Sequence, residues 1–293
     1  DTLWKTHLPF TVLQGMLGDE VNSPNIFKAI IHTMTVWETI LSLRQVESRG
    51  LLDDREVQDV IMEKLKPDVL QKQRIDVVEL LQAYRELTHP FAKEALNLVI
   101  SSQISAMTEA LMPYLQDKRV AVVFDTSGSM ENCLDWSLAL SLTCSMANKK
   151  NTILIAFADR AATLPIPTEK NIILEAYRHA IPSGGTSLGA GLMEALKHTP
   201  DIIIFISDFE GNMEPWSDQV YRDYVAANKK FPETVAIKFT TSPDTAYGEY
   251  TALRTQRWLG IPNEHRIVIR NLWDLPTLLE YIFNLIPILA KRK

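Results

Sequence analysis

Residues 121–129 read Ala-Val-Val-Phe-Asp-Thr-Ser-Gly-Ser. The apolar, β-branched run stops at Asp125-Thr126-Ser127-Gly128-Ser129, as a buried strand does when it hands over to a Gly-containing turn. One carboxylate and two hydroxyls, at alternate positions, are thereby delivered to a single loop. Hard oxygen donors of this kind suit Mg²⁺, which prefers octahedral oxygen coordination and keeps several waters. Two later segments carry matching chemistry. One is Gly184-Gly185-Thr186-Ser187; the other is Ile202-Ile203-Ile204-Phe205-Ile206-Ser207-Asp208, a second apolar strand ending in Asp.

Outward from that stretch, the rhythm on the C-terminal side alternates. Strands are predicted at 119–125, 152–157, 201–207, 233–240 and 265–270, with helices at 132–147, 168–180, 188–198, 216–229 and 276–290. Such alternation implies right-handed crossovers and a buried sheet, so residues 119–293 are expected to form a doubly wound, mostly parallel, Rossmann-like α/β domain. Ligands of such sheets collect beyond the carboxyl ends of the strands, and Asp125 and Asp208 both fall at such ends.

On the N-terminal side, residues 1–118 carry helical periodicity and no convincing strand. Apolar residues from Asn25 to Val46 fit one long helix or two short ones. Gly50 breaks the pattern, Asp53 or Asp54 caps a helix through Leu65, and Pro67 prevents its continuation. Arg74 to Leu87 and Phe91 to Tyr114 complete the series. Stacked helix pairs are the natural expectation, although no strict repeat length is visible.

The bulk numbers narrow the function classes. A net charge of −6 and a pI near 5.6 give no global attraction to nucleic acid or anionic membrane, so RNA binding has to rest on a local patch. The two cysteines, Cys133 and Cys144, lie about three helical turns apart, beyond disulfide reach, and read as reduced thiols of a cytoplasmic protein. No secretory signal or uninterrupted apolar span of membrane length is present, and Leu275 to Ala290, interrupted by Pro276, Glu280, Asn284 and Pro287, reads as a core helix. The chain begins at Asp1 without an initiator Met and reads as a fragment or a processed product.

The Asp-x-Ser-x-Ser loop, the Gly-Gly-Thr loop and the strand ending Ser-Asp together resemble the metal-ion-dependent adhesion site of von Willebrand factor A domains. The resemblance covers about residues 119–290. It implies that the hydroxyls of Ser127, Ser129 and Thr186 bind a divalent cation, Mg²⁺ or Mn²⁺, directly, with Asp125 and Asp208 binding through water or moving between shells. One position is left for water or for a partner's carboxylate. The bland alternatives are an Asp that caps the following helix and Ser-Gly-Ser as an ordinary turn. Glu131 and Glu210 read as solvated loop acids and Asp159 as a turn residue.

The helical half narrows the resemblance. Gly50-Leu51-Leu52, Glu56-Val57, Glu63-Lys64-Leu65, Lys72-Gln73-Arg74-Ile75 and Leu80-Leu81-Gln82-Ala83-Tyr84 resemble the last helical repeats of the Ro autoantigen (TROVE) family, in which helices run directly into a von Willebrand A domain. Ile181-Pro182-Ser183-Gly184-Gly185-Thr186 is similar to the Ro sequence ahead of its Thr ligand. Membership implies HEAT-like repeats, a ribonucleoprotein role in non-coding RNA quality control or turnover, and binding of single-stranded or misfolded non-coding RNA and Y-like RNA. It also implies a protein partner that offers a carboxylate to the metal.

Residues 1–118 depart from that picture: they hold 12 Lys and Arg against 17 Asp and Glu, a balance of −5. Membership also implies a ring of helical repeats closed by the A domain, and residues 1–118 are about a third of the helical part that such a ring uses. Phosphate binding needs clustered cations, and the candidates are Lys64, Lys66, Lys72, Arg74, Lys118 and Arg119, weighed against a solvated helix face. The alternative function is therefore an assembly module that uses a metal-dependent A domain without RNA. Trp4, Trp37, Trp136 and Trp216 have packing as their default role. No catalytic motif stands out: the six histidines lack metal-ligand spacing, no nucleophile elbow or P-loop occurs, and no Lys or Arg beside the metal loops is placed to stabilise transferred charge. The expectation is a binding protein and no enzyme.

Overall fold

The computed structural model describes residues 9–70, 75, 77–166, 184–227, 230–239, 258–262, 264–269 and 274–282. The predicted helix 168–180, the residues Trp4, Lys72, Arg74, His179 and Ile181 to Ser183, and the end of the predicted helix 276–290 lie outside them. The chain divides into two compact units, Asp1–Ala106 and Met107–Lys293.

The first unit is helical throughout its described residues. Its helices are α1 (Phe10–Leu17), α2 (Pro24–Ile31), α3 (Val36–Ser48), α4 (Arg55–Lys64), α5 (Pro67–Leu70), α6 (Val77–Glu86) and the first part of α7 (Pro90–Leu115). The Asn25–Val46 region is thus two helices. The break is set by Thr35, whose hydroxyl accepts from the Glu38 N–H at 3.2 Å while the Glu38 carboxylate accepts from the Thr35 N–H at 2.8 Å. This reciprocal capping box starts α3. Asp54 caps α4 by accepting from the N–H groups of Glu56 and Val57. Phe27, Ile30, Ile40, Leu43, Ile61 and Leu80 are buried in this unit.

The second unit contains a six-stranded, mostly parallel sheet with helices between its strands, an α/β Rossmann-like arrangement. Its strands are β1 (Val120–Asp125), β2 (Thr152–Phe157), β3 (Ala161–Leu164), β4 (Ile202–Ile206), β5 (Glu233–Phe239) and β6 (His265–Ile269), in the order β3-β2-β1-β4-β5-β6. All neighbours are parallel except β2 and β3. The antiparallel edge strand β3 is absent from the sequence expectation, because Ala-Ala-Thr-Leu is four residues long and exposed at its middle positions, leaving no apolar run to read. The helices between are α8 (Leu134–Ala147), α9 (Leu188–Lys197) and α10 (Ser217–Ala226), and α11 (Leu275–Glu280) follows β6.

Every residue of β1 is buried, as expected of a central strand covered on both faces. Helix α8 is buried nearly all round, yet it carries Ser141, Thr143 and Ser145. Each hydroxyl donates to the carbonyl four residues back, at 2.6 to 2.7 Å, which satisfies it inside the core. On the other face α9 comes so close to the loop before α10 that a Cβ at Gly189 would meet the Pro215 carbonyl oxygen at 2.1 Å. Only glycine fits there.

Candidate divalent-cation site

The strand order reverses between β1 and β4, where connections lead off in opposite directions and leave a crevice at the strands' carboxyl ends. Asp125 is the last residue of β1, and Ser207 and Asp208 directly follow β4. Because Phe124 pairs with Ile206, the register sets Asp125 beside Ser207. The Ser207 hydroxyl donates to Asp125 Oδ2 at 2.5 Å and accepts from the Phe209 N–H at 2.9 Å. The other carboxylate oxygen, Oδ1, accepts from the Ser127 N–H at 2.8 Å, which turns the chain out of the strand. Ser127 Oγ and Ser129 Oγ are then 3.1 Å apart. Thr126 faces the other way, its N–H and hydroxyl both donating to the Phe157 carbonyl at the end of β2.

The Gly184–Ser187 loop is bonded to the same crevice. The Gly128 N–H donates to the Gly184 carbonyl at 3.3 Å, with Gly184 at φ +78°, a backbone conformation that glycine adopts without a steric penalty. Thr186 is buried. Its N–H donates to Asn212 Oδ1 at 2.9 Å, and its carbonyl accepts from the N–H groups of Asn212 and Met213. The loops holding Asp125–Ser129, Thr186 and Asp208 are therefore bonded to one another. Of the five predicted residues, Asp125, Ser127 and Thr186 are buried, Asp208 is half-buried, and Ser129 is exposed.

The electrostatics fit a cation. Burial pushes the Asp125 carboxyl above its usual range; hydrogen bonds from Ser127 and Ser207 oppose this, and the Asp208 charge adds to it. Among the described residues, no lysine, arginine or histidine forms an ion pair with either acid. A buried carboxylate beside a like charge is unfavourable without compensation, and carboxylate and hydroxyl oxygens are the hard donors that Mg²⁺ and Mn²⁺ prefer. Among the described residues no group of three or more His, Cys, Asp or Glu could hold a metal, so a site here has to draw on hydroxyls.

Ser207 and Asn212 support the crevice without standing among the predicted ligands. Ser207 was visible only as the neighbour of Asp208, and nothing in the sequence marked Asn212. Glu131 and Glu210 are exposed loop acids. Asp159 is exposed, but a Cβ at Gly184 would lie 3.7 Å from its carboxylate, which sets it beside the Gly184 turn.

Of the cationic candidates, Lys64, Lys66, Lys118 and Arg119 are among the described residues. Lys64 donates its ammonium to the carbonyls of His32, at 3.2 Å, and Met34. Lys66 pairs with Glu63 at 3.2 Å. In the second unit Lys118 is exposed, while Arg119 donates to both oxygens of Asp201 and to the Thr199 hydroxyl, holding the Asp201 carboxyl down at about 2. Arg119 and Asp201 lie at the amino ends of β1 and β4, across the sheet from Asp125. Trp216 is exposed, and Trp37 and Trp136 are half-buried. No described helix is long and apolar enough to cross a membrane. The chain matches no protein-family model and no curated protein.

Proposed function

We propose that this protein is a non-enzymatic binding module that captures a carboxylate of a protein partner through a divalent cation at the carboxyl ends of β1 and β4. The observation that carries the reading is the buried Asp125 carboxylate, held between the Ser127 N–H and the Ser207 hydroxyl, beside Asp208 and without a cationic partner among the described residues. Asp125, Ser127, Ser129, Thr186 and Asp208 would hold the cation. When bound, Mg²⁺ or Mn²⁺ supplies a hard, positively charged coordination position that an Asp or Glu of the partner fills. The protein's own groups do the positioning: Ser207 and the Ser127 N–H fix the Asp125 carboxylate, and Asn212 fixes the Thr186 backbone. The resemblance of the three motifs to the adhesion site of von Willebrand factor A domains supports the same reading.

Calorimetric titration with Mg²⁺ and Mn²⁺ tests it. The wild type is expected to bind one equivalent, and Asp125→Ala to bind at least about tenfold more weakly, a difference of about 1.4 kcal/mol, with unchanged circular dichroism. Equal affinities in the two proteins would be incompatible with the proposal.

A second reading is a Ro-like protein with HEAT-like repeats that engages non-coding RNA in the cytoplasm. Besides the resemblance, it is favoured by a cleft of about 760 Å³ at the amino ends of the strands, where Lys118, Arg119 and Lys230 share the lining with Tyr221, Tyr224 and Phe231, and with the acids Asp117, Asp201 and Glu233. Aromatic faces beside cations suit single-stranded bases and their phosphates. An electrophoretic shift at low salt with RNA carrying a single-stranded tail is expected on this reading. Absence of a shift there, where electrostatic attraction is strongest, removes it.

A further inference from the structure

The loop that follows β4 carries more than Asp208. Phe209 comes next, held at φ +60°, a left-handed conformation that a bulky residue adopts only when its surroundings enforce it. Here its ring stacks on Trp258, with centroids 4.6 Å apart and planes 20° apart. Beside this pair is a cavity of about 180 Å³ lined by Leu188, Phe209, Pro215, Trp216, Trp258 and Gly260. That volume is below the roughly 300–1,000 Å³ typical of small-molecule pockets and suits one large side chain. Trp258 is only 2% exposed, and its indole N–H has no hydrogen-bond partner among the described residues. A buried indole normally has one. On the same loop Met213 and Trp216 are 41% and 46% exposed, and the Met213 N–H bonds to the Thr186 carbonyl. Of these two, Trp216 lines the cavity and presents an exposed large apolar side chain there.

Chain geometry puts the cavity close to the proposed cation residues. Phe209 adjoins Asp208 and Leu188 is two residues beyond Thr186, so with about 3.8 Å between consecutive Cα atoms the lining begins within roughly 8 Å of them. In an extended peptide, residues i and i+2 share a face and are roughly 7 Å apart. We infer that the partner is an extended acidic segment of the form Asp/Glu-x-Φ, its carboxylate directed to the cation and Φ, a large apolar side chain, seated between Leu188, Phe209, Trp216 and Trp258. The inference rests on the cation reading above and adds the partner's chemistry to it.

The test uses the full chain and fluorescein-labelled peptides Gly-Ser-Glu-Ser-Leu-Gly and Gly-Ser-Glu-Ser-Ala-Gly, followed by anisotropy in Mg²⁺ and in EDTA. The leucine peptide is expected to bind about tenfold more tightly than the alanine peptide in Mg²⁺, from the apolar area it buries, and both are expected to be released by EDTA. Trp216→Ala, at an exposed position, is expected to remove the leucine preference while Mg²⁺ affinity by calorimetry stays unchanged. Two peptides that bind equally in Mg²⁺ overturn the apolar seat and leave the cation reading standing. A leucine preference that survives EDTA overturns the cation reading and with it the joint recognition proposed here. No binding of either peptide at millimolar concentration overturns both.

Discussion

The ammonium of Lys64 donates to two backbone carbonyls, of His32 and Met34, on the turn that separates α2 from α3. Burial pushes it below the ordinary lysine value, and the nearby Glu38 charge opposes that shift without cancelling it. In this position it satisfies two backbone acceptors. Lys64→Met leaves both carbonyls without this donor and is expected to lower the unfolding free energy by about 1–2 kcal/mol, read as a lower denaturant midpoint with an unchanged slope. The pH dependence has a definite sign. A lysine whose folded-state pKa is depressed binds fewer protons in the folded protein than in the unfolded chain, so stability rises as pH climbs through the lowered value toward the unfolded one. The wild type should show that alkaline rise and Lys64→Met should lack it. A variant as stable as the wild type but weaker in RNA binding would instead place the charge on a working surface.

At the scale of elements, the Thr35–Glu38 capping box is the device that makes two helices of one apolar run. Thr35→Ala removes the acceptor for the Glu38 N–H and is expected to cost about 1 kcal/mol in thermal or chemical unfolding; no measurable change would mean that packing around Val36 and Ile40 alone positions α3. The apolar spacing from Ile26 to Leu43 reads straight through this boundary, because a capping box is written in two polar residues that hydrophobic periodicity does not weigh. The buried strands were easier. Val120–Asp125 and Ile202–Ile206 are β-branched runs with abrupt polar ends, and the structure bounds them within a residue or so of the expectation. Helix α1 and edge strand β3 carry no such contrast and were not legible. In the candidate site, the Asp125–Ser129 loop could be read because its residues are adjacent. The bond from Ser207 to Asp125 joins residues 82 apart and that from Thr186 to Asn212 joins residues 26 apart, and only the strand order and loop packing create them.

At the scale of the whole molecule, the two compact units give the cation reading a second kind of test. All five proposed ligands belong to the unit Met107–Lys293, so a cation that binds the folded state stabilises that unit by mass action and has no direct hold on Asp1–Ala106. At a free concentration 100 times its dissociation constant, Mg²⁺ adds about 2.7 kcal/mol, which for a unit of this size raises the melting temperature by about 5–10 °C. Hydrogen exchange separates the units: in Mg²⁺ the amides of β1 and β4 should gain protection while those of α3 and α4 stay unchanged. Asp125→Ala should abolish the gain. The net charge of −6 makes the control necessary, since any divalent ion screens an acidic protein and lifts stability weakly everywhere. Protection that rises equally in α3 and β1, or that persists in Asp125→Ala, would identify that general screening and remove the specific site.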